Sequence, residues 1–232
     1  MKIKIFCDSA DYKTIKELNK NSLVGGFTTN PSLMRLSGAK DYKKYSLKLL
    51  QVCKYKPISL EVFADSFNKM EEQAYKINSW GKNVYVKIPV INSKGYFSGR
   101  VINRLSNRKI KLNITAVYTV SQERKILKCI NKNSNVIISI FAGRMGDAGR
   151  DPIPIIKESV RLTKKMKKVE VLWASTREAY NYNHAKKCGC SIITMPPAII
   201  KKISHFGKSL QNLSLDTVQK FLKDSRDSKF KI

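Results

Sequence analysis

The chain has 232 residues with 45 Lys or Arg against 17 Asp or Glu, a formal net charge of +28, and 42% hydrophobic residues. That length and apolar content suit one large domain or two modest ones and exclude general disorder. Two histidines and five cysteines without a C-x-x-C pair give poor support to a Ser-His-Asp triad, a His-rich metal site or a disulfide framework.

Taken in chain order, eight short apolar runs rich in Val, Ile, Phe and Thr read as strands. They are "KIKIFC" (2–7), "LVGGFTT" (23–29), "ISLEVF" (58–63), "NVYVKIP" (83–89), "KLNITAVYT" (111–119), "NVIISIFA" (135–142), "VEVLWAS" (169–175) and "SIITM" (191–195). Helical stretches separate them, among them "ADYKTIKELNKN", "DYKKYSLKLLQVCK", "SFNKMEEQAYKINSW" and "DPIPIIKESVRLTKKM", the last with Asp151 as N-cap before a proline. "SLDTVQKFLKDS" reads as a final helix capped by Ser214 or Asp216, with a charged tail beyond. Eight alternating strands and helices predict right-handed βαβ units closing into a (β/α)₈ TIM barrel, an α/β fold in one domain over 1–232, with an extra C-terminal helix from about 214. The alternative, an open doubly wound sheet, loses its usual dinucleotide role because no G-x-G-x-x-G follows the first strand.

"MKIKIFC" is too short and too polar for a signal peptide, and no window approaches a membrane-spanning run, so a cytoplasmic protein without membrane contact is expected. The free thiols fit a reducing compartment. The net charge would attract phosphate groups and could hold nucleic acid nonspecifically. Its lysines are dispersed along expected helix faces, however, and nucleic-acid binding is the minority reading.

In such a barrel the chemistry sits at the C-terminal ends of the strands. Those ends carry Asp8; Thr28, Thr29 and Asn30; Glu61; Lys87; Asn113 and Thr115; Ser139 and Arg144; Ser175 and Arg177. Each has an ordinary reading. Asp8 could cap the next helix, "TTNPS" could be a turn, and Glu61 could pair with a surface lysine. Asn113 and Thr115 could satisfy each other, Arg144 could be a loop charge, and Ser175 could cap "TREAYNYNHAKK". Lys87 resists such a reading. It lies inside a buried run ended by Pro89, and an unpaired buried charge costs several kcal/mol, on the order of a protein's whole stability margin.

Burial disfavours a lysine's charged form. Lys87 is therefore expected to work as an uncharged amine, a nucleophile toward a carbonyl carbon, giving a Schiff base. The iminium then draws electrons from the adjacent carbon–carbon bond, which is the logic of a class I aldolase that needs no metal and no cofactor. Asp8 could move a proton at the substrate hydroxyl, and Glu61 with Thr115 could hold the water of carbinolamine formation. Arg144, Arg177 and Ser175 suit a phosphate.

The sequence resembles the transaldolase family, specifically the short transaldolase-like group that includes fructose-6-phosphate aldolases. The resemblance runs through "FCDSAD", "GGFTTNPSLM", "VYVKIP", "LNITAVYT", "SIFAGRMGDAG", "LWASTRE" and "ITMPP". It implies Lys87 as Schiff-base nucleophile, Asp8 as acid/base, and Glu61 and Thr115 as partners of the catalytic water. Thr28, Asn30, Asn113, Ser139 and Phe141 would bind substrate, with Ser175, Arg177 and Arg144 on the phosphate. Fructose-6-phosphate aldolases of the group carry Gln and Tyr where this chain has Glu61 and Phe141. The resemblance thus implies transfer of a dihydroxyacetone unit between sugar phosphates, as in the pentose phosphate pathway, with aldol release of dihydroxyacetone or action on a modified ketose as alternatives. It also implies a homo-oligomeric ring, with a decamer as the candidate size. Two departures stand out: Ile140 where proline is common, and a longer segment after the lysine strand, "VINSKGYFSGRVINRLSNRKIK".

Overall fold

A computed structural model describes residues 3–229. The start of the expected first strand at Lys2 and the last three residues of the tail lie outside them. The chain divides into two compact units, residues 1–200 and residues 201–232. The first begins β1 (Lys4–Asp8), α1 (Tyr12–Leu18), β2 (Val24–Thr28), α2 (Pro31–Leu36), α3 (Tyr42–Val52), β3 (Ile58–Glu61), α4 (Phe67–Asn78) and β4 (Val84–Pro89). It continues with α5 (Gly99–Asn107), β5 (Leu112–Val117), α6 (Val120–Cys129), β6 (Val136–Ile140), α7 (Ala142–Asp147), α8 (Ile153–Thr163), β7 (Val169–Trp173), α9 (Asn181–Cys188) and β8 (Ile192–Met195). After these come α10 (Pro197–Lys202), a 3-10 turn (Ile203–His205) and α11 (Leu210–Ser228). The strands form a closed parallel barrel in sequence order, the α/β barrel expected.

Side chains two apart on a strand share a face, and the register aligns these pairs around the barrel. Phe6, Ile137, Leu172 and Ile192 pack together with Tyr85 as an apolar floor inside the ring. Two residues further along each strand come Asp8, Ser139, Ala174, Thr194 and Lys87, the layer that faces the mouth. The floor needs a glycine: a Cβ at Gly26 would lie 2.7 Å from the Phe6 ring carbons Cε1 and Cζ, so Phe6 fills the place where a β2 side chain would stand. Outward-facing Val86 and Ile88 are fully buried beneath the helices.

Capping follows local chemistry with three shifts from expectation. Asp11, not Asp8, caps α1 by accepting from Thr14 N, which leaves Asp8 to the interior. Pro152 holds the cap position of α8, and Asp151 instead accepts from Ile153 N. In the second unit α11 starts at Leu210 because Ser209 accepts from Asn212 N, so Ser214 and Asp216 lie inside the helix rather than at its cap. Leu210, Leu213, Val218, Phe221 and Leu222 of α11 are all exposed. All five cysteines are unpaired; burial pushes the Cys7 thiol up to about 12, and Asp8 adds to that shift. Among the described residues no helix is long and apolar enough to cross a membrane.

One buried group sits apart from the mouth. Glu123 on α6 is 0% exposed and neither carboxyl oxygen has a hydrogen-bond partner among the described residues. Burial pushes its pKa up to about 7, with Glu158 acting in the same direction; the Ser159 hydroxyl donates to Ile155 O instead. A carboxyl raised in the folded state is neutral below about pH 4.5 in both folded and unfolded chains. As pH rises to about 7 the unfolded chain gains the advantage of ionising freely, which costs the fold roughly 3 kcal/mol. Glu123→Gln removes that loss: in urea melts its unfolding free energy exceeds wild type at about pH 8.5, and the advantage vanishes at about pH 4.5.

Candidate active site

The strand ends converge on a cavity of about 180 Å³ whose lining includes Asp8, Thr28, Lys87, Ser139, Ser175 and Arg177. A neighbouring chamber of about 430 Å³ shares Asn30, Lys87, Thr115, Phe141 and Arg144 with it and adds Glu61. Asn113 alone of the expected site residues lines neither. It is fully buried one layer down, where its Nδ2 donates to Ser59 Oγ (2.9 Å) and its Oδ1 accepts from Ser139 Oγ (2.7 Å). It is bonded to Ser59 and Ser139 rather than to Thr115.

Lys87 is 7% exposed, and its Nζ lies 2.9 Å from Glu61 Oε2 while donating to the Thr29 carbonyl at 3.1 Å. Register explains the pairing, because Glu61 and Lys87 are direct neighbours across β3 and β4. Glu61 therefore has no need of a surface lysine. Its backbone is fixed by Tyr42, whose hydroxyl donates to Glu61 O (2.9 Å) and accepts from Glu61 N (3.0 Å). Burial holds the Tyr42 phenol above its ordinary range. The buried amine thus has a carboxylate partner within hydrogen-bond reach.

Across the mouth, Asp8 accepts from Thr28 Oγ1 (2.7 Å), and Thr28 Oγ1 lies 2.5 Å from Thr194 Oγ1. Burial raises the Asp8 pKa, partly offset by the Lys87 charge and the Thr28 hydrogen bond. Asn30 both lines the mouth and caps α2, its Oδ1 accepting from Leu33 N (2.9 Å) with Pro31 at the first turn. Thr115 Oγ1 is buried with no hydrogen-bond partner among the described residues. Just beyond it Ala116 takes φ 59 and the β5–β6 register shifts, so the strand turns away where Thr115 meets the cavity.

The far side of the mouth is cationic. Arg144 sits on α7 with its guanidinium 5.3 Å from the Phe141 ring centroid. Arg177 is held by Asp147, its Nε within 3.1 Å of Oδ1 and 3.0 Å of Oδ2 and its Nη2 also on Oδ2. Ser175 stands in left-handed backbone at φ 63 and caps no helix. The helix expected after it starts only at Asn181, because Asn181 Oδ1 accepts from Arg177 N (3.1 Å) and ties the preceding residues into a loop. Gly143 lets α7 touch this loop: a Cβ there would fall 1.5 Å from the Ser175 carbonyl oxygen. That contact brings Arg144 and Arg177 to one corner.

Thr194, Tyr42 and Asp147 were missed from sequence. Thr194 had a signal, being the lone polar residue of an apolar strand; Tyr42 and Asp147 act from helices and gave none.

The family model for transaldolase/fructose-6-phosphate aldolase matches residues 5–232. The chain is 31% identical over 225 residues to a probable transaldolase of Nitrosopumilus maritimus, covering 96% of this chain and 94% of the relative. It is 30% identical to a probable transaldolase of Methanococcus vannielii, with 96% and 97% covered. Among solved structures, a 2,3-dimethylmalate lyase superposes with a TM-score of 0.58 at 9% identity, covering 98% of this chain and 84% of that one, a likeness of fold alone.

Gly143→Ala forces α7 away from the Ser175 carbonyl. Isothermal titration with inorganic phosphate is expected to show at least about tenfold weaker binding, the loss of roughly one charge-assisted hydrogen bond, whereas Gly146→Ala, where a Cβ meets open space, leaves affinity near wild type.

Proposed function

The chain belongs to the transaldolase/fructose-6-phosphate aldolase family, and from that premise we propose that it transfers a dihydroxyacetone unit between sugar phosphates through a Schiff base on Lys87. The observation that carries this reading is the buried Lys87 paired with half-buried Glu61 and set across the barrel mouth from Asp8. Glu61 takes the proton from Lys87, and the free amine attacks the ketose carbonyl. Glu61 and Thr115 handle the water lost as carbinolamine becomes iminium. Asp8 then accepts the proton of the hydroxyl on the carbon to be released, the carbon–carbon bond breaks, and its electron pair flows to the iminium nitrogen. The resulting enamine waits for an acceptor aldehyde, and the steps reverse. Arg144, Arg177 and Ser175 hold the phosphate at the far side.

The combination of Glu61 and Phe141, which line one chamber, supports transfer over release of free dihydroxyacetone. The unpaired thiols are in keeping with a cytoplasmic setting.

Borohydride added with fructose 6-phosphate is expected to leave a covalent adduct on Lys87 by mass mapping, absent in Lys87→Ala. Turnover is expected to require an aldehyde acceptor such as erythrose 4-phosphate; turnover without one would replace transfer by simple aldol cleavage. Asp8→Asn is expected to lower kcat by about 10²–10⁴-fold. Asp8 must be ionised to accept the proton, so its raised pKa places the acid limb of the kcat profile above the ordinary carboxylate range. Thr28→Val, which removes a hydrogen bond to the ionised form, moves that limb further toward neutral pH.

A further inference from the structure

Charges scattered along the sequence gather at one end of the first unit. Opposite the mouth, seven loops lead from a helix into a strand: "NKNSL" (19–23), "CKYKP" (53–57), "SWGKN" (79–83), "RKIK" (108–111), "INKNSN" (130–135), "KKMKK" (164–168) and "GCS" (189–191). In the closed order β1 to β8 they make a ring around the base of the barrel. Together they hold twelve Lys or Arg and no Asp or Glu. On the mouth side, the loops after the strands hold two cations, Lys94 and Arg177, against three acids, Asp11, Asp65 and Glu178.

The cations at the base lack counter-charges. Among the described residues none of the twelve forms an ion pair. Of the acids within strands only Glu170 lies near this end, and Lys4 already takes it at 2.6 Å. The last turns of the helices add Lys16, Lys76, Lys128, Lys186 and Lys187 against one acid, Glu17. Dipole compensation does not account for this excess. A helix C-terminus carries about half a negative charge, felt within its last turn, so seven helices offset roughly three or four cations. What remains is a field of one sign that draws polyanions.

The same end offers more than charge. Lys56 Nζ donates to Asn21 O (2.8 Å) and Asn83 Nδ2 donates to Lys56 O (2.8 Å), so the loop 53–57 is fastened to both of its neighbours. Tyr55, in the middle of that loop, is 91% exposed, with exposed Lys54 before it. Among the described residues, only Leu23 and Tyr55 are large apolar side chains exposed in the seven loops. Further round the ring Lys111 Nζ donates to Lys82 O (2.8 Å), and a hollow of about 290 Å³ lies among Ser79, Lys82, Lys109 and Lys111. An exposed aromatic ring on a fastened loop, flanked by cations, suits an unpaired base on its face and the adjoining phosphates on lysines. A lipid surface would want several apolar side chains to insert, and a duplex offers Tyr55 no free base. We infer that the base of the barrel binds single-stranded nucleic acid, with a base stacked on Tyr55 and the phosphates on the loop lysines. The inference is independent of the Schiff-base reading of Lys87.

The test is fluorescence anisotropy of the full chain with a labelled uridine 20-mer. Affinity is expected to fall as salt rises from about 50 to 200 mM, with a log–log slope of magnitude about 2 or more, the counterion release of three single-strand phosphates. Tyr55→Ala is expected to weaken binding about fivefold or more at an unchanged slope. Lys165→Glu with Lys167→Glu is expected to weaken binding and to flatten the slope by about 1. Lys43→Glu with Lys44→Glu makes the same change of net charge at the mouth end of α3 and is expected to leave both near wild type. Thermal melts check the fold of each variant; should a charge-reversed pair fail to fold, Tyr55→Ala decides, since that side chain is highly exposed. Equal losses in the two lysine pairs, or binding indifferent to Tyr55→Ala, overturn the inference and leave a diffuse cationic field. Inorganic polyphosphate of matched length competing as well as the 20-mer overturns it too, as does the absence of saturable binding at about 50 mM salt. Cosedimentation with phosphatidylserine vesicles in salt that releases the 20-mer assigns the face to a membrane and also overturns it.

Discussion

A lysine in a barrel mouth stays there only if something takes up its charge. An unpaired buried ammonium costs several kcal/mol even after relaxation, and here the Glu61 carboxylate at 2.9 Å meets that demand. Much of the mouth can be understood as support for this pair. Adjacent strands place the two side chains in register, Tyr42 fixes the Glu61 backbone from α3, and the Thr29 carbonyl takes another of the lysine's protons. The same contact serves the proposed mechanism, in which the lysine's proton passes to Glu61.

Around that pair the site separates charge by distance. Acid chemistry gathers where β1, β2 and β8 meet, with Asp8 tied to Thr28 and Thr28 beside Thr194. The arginines gather beyond β6 and β7. Lys87 stands between carboxylates on one side and the cationic corner on the other. A sugar phosphate suits this polarity because its own charge sits at one end and its reactive carbonyl near the other. The overall positive charge draws anions in from a distance, and under the proposed reading these few groups orient the sugar phosphate within the mouth.

The barrel was legible in the sequence because eight short apolar runs are bounded by polar segments, and the polar residues ending the first seven marked the mouth. Lys87, Glu61 and Asp8 stood out for the same reason: each breaks an apolar pattern at a cost that local structure does not explain. What stayed hidden depends on tertiary contact. Asn113 shows the same polar signal as Thr115 yet lies one layer down, where Ser59 and Ser139 share its amide. Ser175 looked like a helix cap, but the side chain of Asn181, six residues on, holds the loop open and delays the helix. Gly143 gave no hint that its missing side chain leaves room for a backbone carbonyl of another loop. The cap of α11 was misplaced because Ser209, Ser214 and Asp216 are equally good by residue type, and only the N–H of Asn212 distinguishes them.

The strand ladder is uneven around the ring. β2 and β3 register through only Phe27–Ile58 and Thr28–Ser59, and β7 and β8 through only Leu172–Ile192 and Trp173–Ile193. These two short seams divide the barrel into a three-strand piece, β8–β1–β2, and a five-strand piece, β3 to β7. Asp8, Thr28 and Thr194 ride on the first, while Glu61, Lys87 and Thr115 ride on the second. The hydrogen bonds from Lys87 Nζ to Thr29 O and from Thr29 Oγ1 to Ser59 O span one seam like stitches. The two thinnest joints of the barrel thus separate the strand that carries Asp8 from the strands that carry Glu61 and Lys87, and the Lys87–Thr29 bond crosses one of them.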